Sequence, residues 1–422
     1  TTTTGRLELR RMDGMFMIEE LERIALERCA TAREAIALIG ALAEEYGYLD
    51  EGECLTIADK KEVGHFEIYG NGTLPVDPKA KKSKKAPADK PGAMWVAQRI
   101  PDDHVGVSAN IPRIAVVDFN DPDNFMTSTG LRERAKALGL WSGEGDFVFY
   151  KVVSSEAKPF SYREFYVLST MAPSLGLTFD MAELPFSVKP DKKVSPEDLF
   201  AYYRSTYEGT EFDQIKNLSV EVDRKKKENG KTIYYKEVVY PVSTFMSGDM
   251  RALLNKLQPG VTPRMRHIAA IQCSYSHIMQ CRDWLPDEIG GIAYFSFDNP
   301  AQTPRIPIYA GATQLPEGWD VCGQARYRKD AAIWAYRETN RIATIYWDKT
   351  RHLLEPRVMY WQEQMMQECE LVEKKAAKLL EEGKKEEAAA LLNNTAQKFA
   401  SATAKNWEDI KAELWPIFAR GL

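Results

Sequence analysis

No stretch of this chain approaches the roughly 18 consecutive apolar residues that a membrane-spanning helix requires, so no membrane partner is expected. Cysteine is scarce, with six residues in 422 (Cys29, Cys54, Cys273, Cys281, Cys322 and Cys369). None stands in a Cys-x-x-Cys pair, which argues against structural zinc, and six are too few for a disulfide scaffold. They read as scattered core or half-buried thiols. Histidine is scarcer still, with five residues (His65, His104, His267, His277 and His352) at dispersed positions. His267 and His277 are too far apart for two ligands on one helix, so each reads as a partly buried polar residue. Neither a metal nor a cofactor is expected. A basic excess is also missing: the formal net charge is -5, and no global field draws in nucleic acid. There is no G-x-S-x-G elbow, no Walker loop, no H-E-x-x-H and no G-x-G-x-x-G opening a helix. No fixed-period repeat marks a solenoid or propeller.

The composition that remains is ordinary for a globular protein, with 44% hydrophobic and 28% charged residues. Its length suits one large domain or two to three ordinary ones. Residues 18–46 carry a helical apolar stripe (Ile18, Leu21, Ile24, Ala25, then Ala35, Ile36, Leu38, Ile39, Leu42), broken near Thr31 and stopped at Gly47. Short strand-like runs follow at 54–59, 64–70, 94–100 and 105–110, with the spacing of an antiparallel meander. Between the second and third lies a basic low-complexity segment, 79–92, read as a solvated surface insertion because no aromatic residue interleaves its charges. Helices are expected at 162–174 and 196–209. A hairpin over 221–241 turns at Asn229-Gly230, and strands resume at 268–280 and 290–298. The last third reads as helices over 329–366, 368–382, 385–399 and 407–418, with a hinge at Gly383. Strands and helices in separate blocks indicate an α+β fold rather than a doubly wound one.

Two segments are chemically unusual. In VGVSANIPRI (105–114), Ser108 and Asn110 end an apolar strand before Pro112. An asparagine placed so aims an amide donor past the sheet end, where an oxyanion hole needs one, although an Asx-turn closing the strand would use the same residue. In PFSYREFY (159–166), Arg163 sits in an aromatic setting. A buried arginine must be paired, either with a substrate carboxylate or in a structural salt bridge to Glu164 or a more distant acid.

The blocks GECLTIADKKEVGHFEIYG, WVAQRIPDDHVGVSANIPRI, DFNDPDNFM, LPFSVKPDKKVSPEDL, YYRSTYEGTEFD, DWLPDEIGGIAYF and IPIYAG, in this order, resemble the cysteine dipeptidases of the N-terminal-nucleophile hydrolases. The resemblance covers essentially the whole chain. It implies an αββα sandwich of two antiparallel sheets between helical layers. The main part of the catalytic domain would occupy 1–328 and a C-terminal helical region 329–422. It further implies hydrolysis of dipeptides by a mature N-terminal cysteine, whose own α-amine acts as general base, so that no triad is needed. Asn110 resembles the family's oxyanion-stabilising asparagine. Arg163 resembles an arginine near the nucleophile that tunes charge or holds substrate. Asp59, Tyr207 and Glu208 lie in strongly matching blocks and are carried as substrate-binding candidates. Gly64 departs from the family pattern, which has an aromatic after Glu-Val.

The family begins with its cysteine and a long stretch before the part that TTTTGR resembles. None of the six cysteines here matches the nucleophile, so a complementary segment carrying it is expected upstream of Thr1. Two other readings compete: Thr1 as the N-terminal nucleophile of a related amidohydrolase, and a non-catalytic binding or assembly module that keeps the fold. Self-association is left open. The first residues are neither a signal peptide nor a transit segment, and any targeting sequence would lie further upstream. The compartment is left open, with a lean to the periplasm or cell exterior because longer bacterial relatives are often exported.

Overall fold

The computed structural model describes residues 3–74 and 89–419. Thr1 and residues 79–88 of the basic insertion lie outside the described residues. The chain divides into two units, Thr1–Lys193 and Val194–Leu422.

The first unit opens with α1 (Ile18–Arg28) and α2 (Ala32–Tyr46). The break expected near Thr31 is a capping box: the Thr31 side chain accepts the Glu34 N–H, and the Glu34 carboxylate accepts the Thr31 N–H. Gly47, at φ 87, ends α2. Next come β1 (Glu53–Ala58), β2 (Val63–Gly70) and β3 (Ala93–Ile100), paired antiparallel in sequence order. The residues expected as a fourth meander strand do not join them. That segment yields only β4 (Val105–Gly106), whereas β5 (Phe125–Thr127) pairs with β3 to complete the sheet in the order β1-β2-β3-β5. The reason is local: Asn110 adopts φ 68, which ends extended backbone two residues before Pro112. The unit continues through α3 (Leu131–Ala137), α4 (Phe149–Val153), α5 (Tyr162–Met171) and β6 (Ser187–Val188), which pairs with β4.

Strand β2 is buried on both faces, and its period of two sorts the residues. Phe66 and Ile68 join Leu55, Trp95 and Ala97 against Leu21, Ile36 and Ile39 of the two helices. His65, Glu67 and Tyr69 face the other way, where Tyr69, Met94 and Val96 pack with Ile114, Val117, Phe147 and Phe149. Close approach of helix to sheet explains two glycines. A Cβ at Gly40 would lie 2.3 Å from the Trp95 ring, and one at Gly64 would lie 2.8 Å from Ile36 Cδ1. Gly64 thus makes room for Ile36 where the family pattern has an aromatic.

The second unit comprises α6 (Pro196–Tyr203), the hairpin β7 (Val220–Glu228) and β8 (Lys231–Val239), α7 (Gly248–Leu257), β9 (Tyr275–Cys281), α8 (Asp287–Gly290), β10 (Gly291–Phe297), β11 (Ile306–Tyr309), α9 (Ala332–Ile345), α10 (Trp347–Glu381) and α11 (Lys385–Ala419). Asn229 and Gly230 both have positive φ, 51 and 78, which matches the twist of a two-residue hairpin. A three-stranded antiparallel sheet, β11-β10-β9, packs Ile278, Ile292, Tyr294, Ile306 and Tyr309 against α9, α10 and α11. The helical breaks differ from expectation. The first falls at Tyr346, whose φ of -136 and ψ of 64 are not helical, while α10 runs unbroken past residue 367. Separate helices were expected over 385–399 and 407–418, yet α11 is continuous. There Thr403 turns its hydroxyl back onto Phe399 O at 2.6 Å, and Trp407 is fully buried. The hinge at Gly383 is observed, at φ 74. The protein is therefore mixed α and β, with several antiparallel sheets and a helical C-terminal region.

Candidate active site

The N-terminus of α5 organises the first unit's polar centre. Ser161 caps the helix, and the Glu164 carboxylate completes a capping box by accepting from Ser161 N at 2.8 Å and Ser161 Oγ at 2.5 Å through Oε2. Glu164 is fully buried, and its other oxygen accepts the Ala109 N–H at 2.7 Å. The neighbouring Arg163 donates Nη2 to Ala109 O and Nη1 to Asn110 Oδ1, both at 2.8 Å. Two consecutive side chains thus grip both backbone groups of one residue and the side chain of the next.

This grip defines Asn110. Arginine only donates, so the amide atom facing it is the oxygen, and the NH2 end is turned away from Arg163. Asparagine is among the few non-glycine residues that take a left-handed backbone at modest cost, and φ 68 is that conformation. The Asn110 carbonyl accepts Thr4 N at 2.9 Å. Downstream, Arg113 N and Ile114 N both donate to Oε1 of a second fully buried carboxylate, Glu67. The Arg113 guanidinium donates to Pro159 O and, at 2.7 Å, to Pro185 O; burial pulls its pKa below the ordinary value. Segment 109–114 is therefore fastened at one end by Glu164 and at the other by Glu67. A rigid, oriented amide donor is what stabilisation of an acyl-transfer oxyanion requires.

Glu164→Gln tests the fastening. An amide presents its oxygen to Ala109 N or to Ser161 N but not to both, so one buried N–H would face a donor. A loss of about 1–3 kcal/mol is expected in urea denaturation; an unchanged midpoint would show that Glu164 does not hold this segment.

The remaining sequence candidates make contacts of other kinds. Asp59 closes the β1–β2 turn: it accepts Lys61 N at 2.6 Å, Glu62 N at 3.0 Å and, from the start of α2, Ala32 N at 2.9 Å. Partial burial works against its charge, but these three N–H donors hold its carboxyl below the usual range. Tyr207 and Glu208 belong to the second unit. Tyr207 is buried at φ 63 and donates its hydroxyl to Arg266 O at 3.0 Å. Glu208 is largely exposed and bidentate with Arg351, at 2.7 and 2.8 Å.

Beside the Tyr207 ring lies His267, hydrogen-bonded to Gln214. Burial, reinforced by Arg251, pulls its pKa down to about 4. An unfolded histidine titrates near ~6.5. Between these values the unfolded state binds the proton and the folded state does not, so stability rises with pH. The contribution is complete above pH ~6.5 and lost as pH falls towards 4, to a total of ~3 kcal/mol. Denaturation at pH 4.5 and 7 should show His267→Gln losing less stability on acidification than the parent; equal losses would rule this out.

Sequence reading passed over three side chains in the first unit: Glu67, His65 and Cys54. Their signal was the strand periodicity. Residues 65 and 67 share one face of β2, and the register places Cys54 directly opposite Glu67.

The pattern of peptidase family C69 matches residues 12–363, and the chain belongs to that family. Among curated relatives, a probable dipeptidase of Latilactobacillus sakei is 27% identical over 291 residues, covering 68% of this chain and 49% of its own length. Probable dipeptidase B of Streptococcus pyogenes serotype M1 is 24% identical, covering 76% and 55%. A probable dipeptidase of Salmonella dublin is 25% identical, covering 79% and 66%. The chain spans about half the length of the first two of these relatives.

Proposed function

We propose that these 422 residues carry the oxyanion-holding part of a cysteine-type dipeptidase. The nucleophile in this reading is a mature N-terminal cysteine from a complementary segment outside them. The supporting observation is the Arg163–Asn110 pair, which orients an amide donor on a doubly fastened segment inside a member of family C69. The names of the relatives support dipeptides as substrate. All six cysteines here are internal and have no free α-amine, so none supplies nucleophile and base in one residue.

In the proposed reaction the thiolate attacks the peptide carbonyl and the α-amine carries the proton to the leaving amine. Asn110 holds the developing oxyanion, and water then releases the acyl group. Arg163 acts by positioning Asn110 and by adding positive charge beside it. Asp59, Tyr207 and Glu208 remain candidates for shaping the substrate site. The architecture we propose for the whole is the αββα sandwich, with a catalytic body over 1–328 and helices over 329–422. In support, each unit holds an antiparallel sheet backed by helices.

The test uses the full-length protein. It should hydrolyse dipeptides and lose turnover on alkylation, with the label mapped by mass spectrometry to an N-terminal cysteine. Absence of dipeptide turnover, or turnover that survives complete alkylation of that cysteine, would overturn the reading.

A further inference from the structure

The hairpin of the second unit pairs only with itself. Strands β7 and β8 form a two-stranded sheet, and no third strand joins either edge among the described residues. Of the residues in the two strands, only Val239 is buried. A lone two-stranded hairpin is at best marginally stable in water, because it leaves both edges unpaired and has no face to pack. The two edges are unlike. The turn at Asn229-Gly230 makes Glu228 and Lys231 a hydrogen-bonded pair, and such pairs alternate along the ladder. The backbone groups left pointing outward are therefore those of Glu221, Asp223, Lys225 and Lys227 on β7, and of Thr232, Tyr234, Lys236 and Val238 on β8.

Every outward position on β7 carries a charge, and an arriving strand would have to desolvate them all, so this edge is blunted. The β8 edge lacks that protection. Tyr234 and Val238 are exposed there at 77% and 61%, and Ile233 and Tyr235 beside them are exposed as well. An exposed apolar edge is a template for another strand.

We propose that β8 pairs antiparallel with β8 of a second copy of this chain, about a two-fold axis through Tyr234, so that one four-stranded sheet, β7-β8-β8-β7, spans two molecules. The contact is isologous, the same strand serving on both sides. Only outward-pointing residues can exchange hydrogen bonds across it, so the register shifts in steps of two and few arrangements compete. With Tyr234 on the axis, Ile233 lies opposite the partner's Tyr235, and Lys231 opposite the partner's Glu237. An aliphatic–aromatic pair and an opposite-charge pair each occur twice, and both are favourable across strands. Thr232 faces the partner's Lys236, which keeps its own ion pair with Glu221 at 2.5 Å. Moving the axis to Tyr235 sets Ile233 against a glutamate, and moving it to Lys236 sets two ammonium groups together. Moving it towards the turn shortens the ladder. The edge thus complements itself in one register, which selects a second copy over an unrelated strand.

The experiment follows sedimentation velocity and residue-resolved hydrogen exchange of the full-length protein over a dilution series. A dimer, or an even multiple of it, should form as concentration rises. Exchange at the Thr232, Tyr234 and Lys236 amides should slow with it by about tenfold or more. Tyr234→Lys places like charges on the axis and should abolish both effects; the side chain is exposed, and circular dichroism checks that the variant is folded. A protein that stays monomeric at every concentration would overturn the proposal. Protection of these amides that ignores dilution would do the same, since the edge would then be covered within one molecule. So would a dimer that Tyr234→Lys leaves intact.

Cross-linking tests the register. The Cα atoms of a hydrogen-bonded antiparallel pair lie about 5.5 Å apart, within the reach of a disulfide. Tyr234→Cys should therefore give a disulfide-linked dimer on mild oxidation, mapped by peptide mass spectrometry to that position in both molecules. Thr232→Cys, which faces the partner's Lys236, should not. Equal cross-linking of the two variants, or none in Tyr234→Cys, would sink the pairing. No readout here uses dipeptide turnover, so this proposal and the dipeptidase reading can fail separately.

Discussion

Asn110→Ala is expected to lower kcat for a dipeptide about 10²–10³-fold in the full-length enzyme, the range found when one oxyanion donor is removed. KM should change little, because the amide contributes chiefly once charge develops on the substrate oxygen. Asn110→Asp should be at least as damaging, since it exchanges the donor for a carboxylate that pairs with Arg163 and repels the oxyanion. Arg163→Lys offers a graded comparison. An ammonium cannot make the two fixed 2.8 Å bonds to Ala109 O and Asn110 Oδ1 that a guanidinium makes. A smaller loss, of about tenfold, is expected there if Arg163 acts through Asn110. If Asn110→Ala keeps full kcat, the oxyanion assignment is wrong. If it raises KM alone, Asn110 binds substrate rather than stabilising the transition state.

Trp407→Ala should cost about 3–5 kcal/mol in urea denaturation, the largest effect on stability expected from any single change discussed. Trp407 is fully buried in the second unit. Its indole N–H donates to Asn340 Oδ1 at 3.0 Å and to Gln302 O at 3.1 Å, and its carbonyl accepts the Thr339 hydroxyl at 2.8 Å. Asn340 in turn donates to Asp298, a fully buried carboxylate that also accepts from Arg337 at 2.7 Å. Removing the indole therefore opens a cavity and leaves two buried acceptors with fewer donors. Trp407→Phe separates these effects by keeping most of the volume and losing the N–H; a cost of about 1–3 kcal/mol is expected for it. Equal costs for the two variants would mean that packing contributes nothing beyond the hydrogen bonds.

Much of the local structure was legible in the chain. The cap at Thr31, the stop at Gly47, the hairpin turn at Asn229-Gly230 and the hinge at Gly383 each rest on a residue whose conformational preference acts within a few positions. The C-terminal helices were legible as helices, but their breaks were not. Continuity between 399 and 407 is accompanied by Trp407 docking against α9, a contact between residues distant in the chain. The fourth strand of the first sheet was misplaced for a similar reason. Residues 105–110 have the apolar alternation of a strand, but the left-handed Asn110 ends it early, and β5 takes the edge of β3.

For the site, Asn110 and Arg163 were each singled out by an oddity of type and setting. Their contact joins residues 53 positions apart, and no local signal encodes it. The buried glutamates were harder still to see. Glu164 reads as a helix-capping residue and Glu67 as one polar member of a strand, and only the folded chain turns them towards the same segment from opposite ends. The sequence by itself determined which residues begin and end elements and which side chains share a face, because dihedral preference and periodicity act over a few residues. It also determined membership of family C69, because ordered blocks of residues survive divergence. Tertiary structure alone decided that Glu67 and Glu164 fasten one loop, that Arg163 orients Asn110, and that Cys54 meets His65. Those are contacts between residues distant in the chain, made where burial leaves polar groups no water and they must find one another.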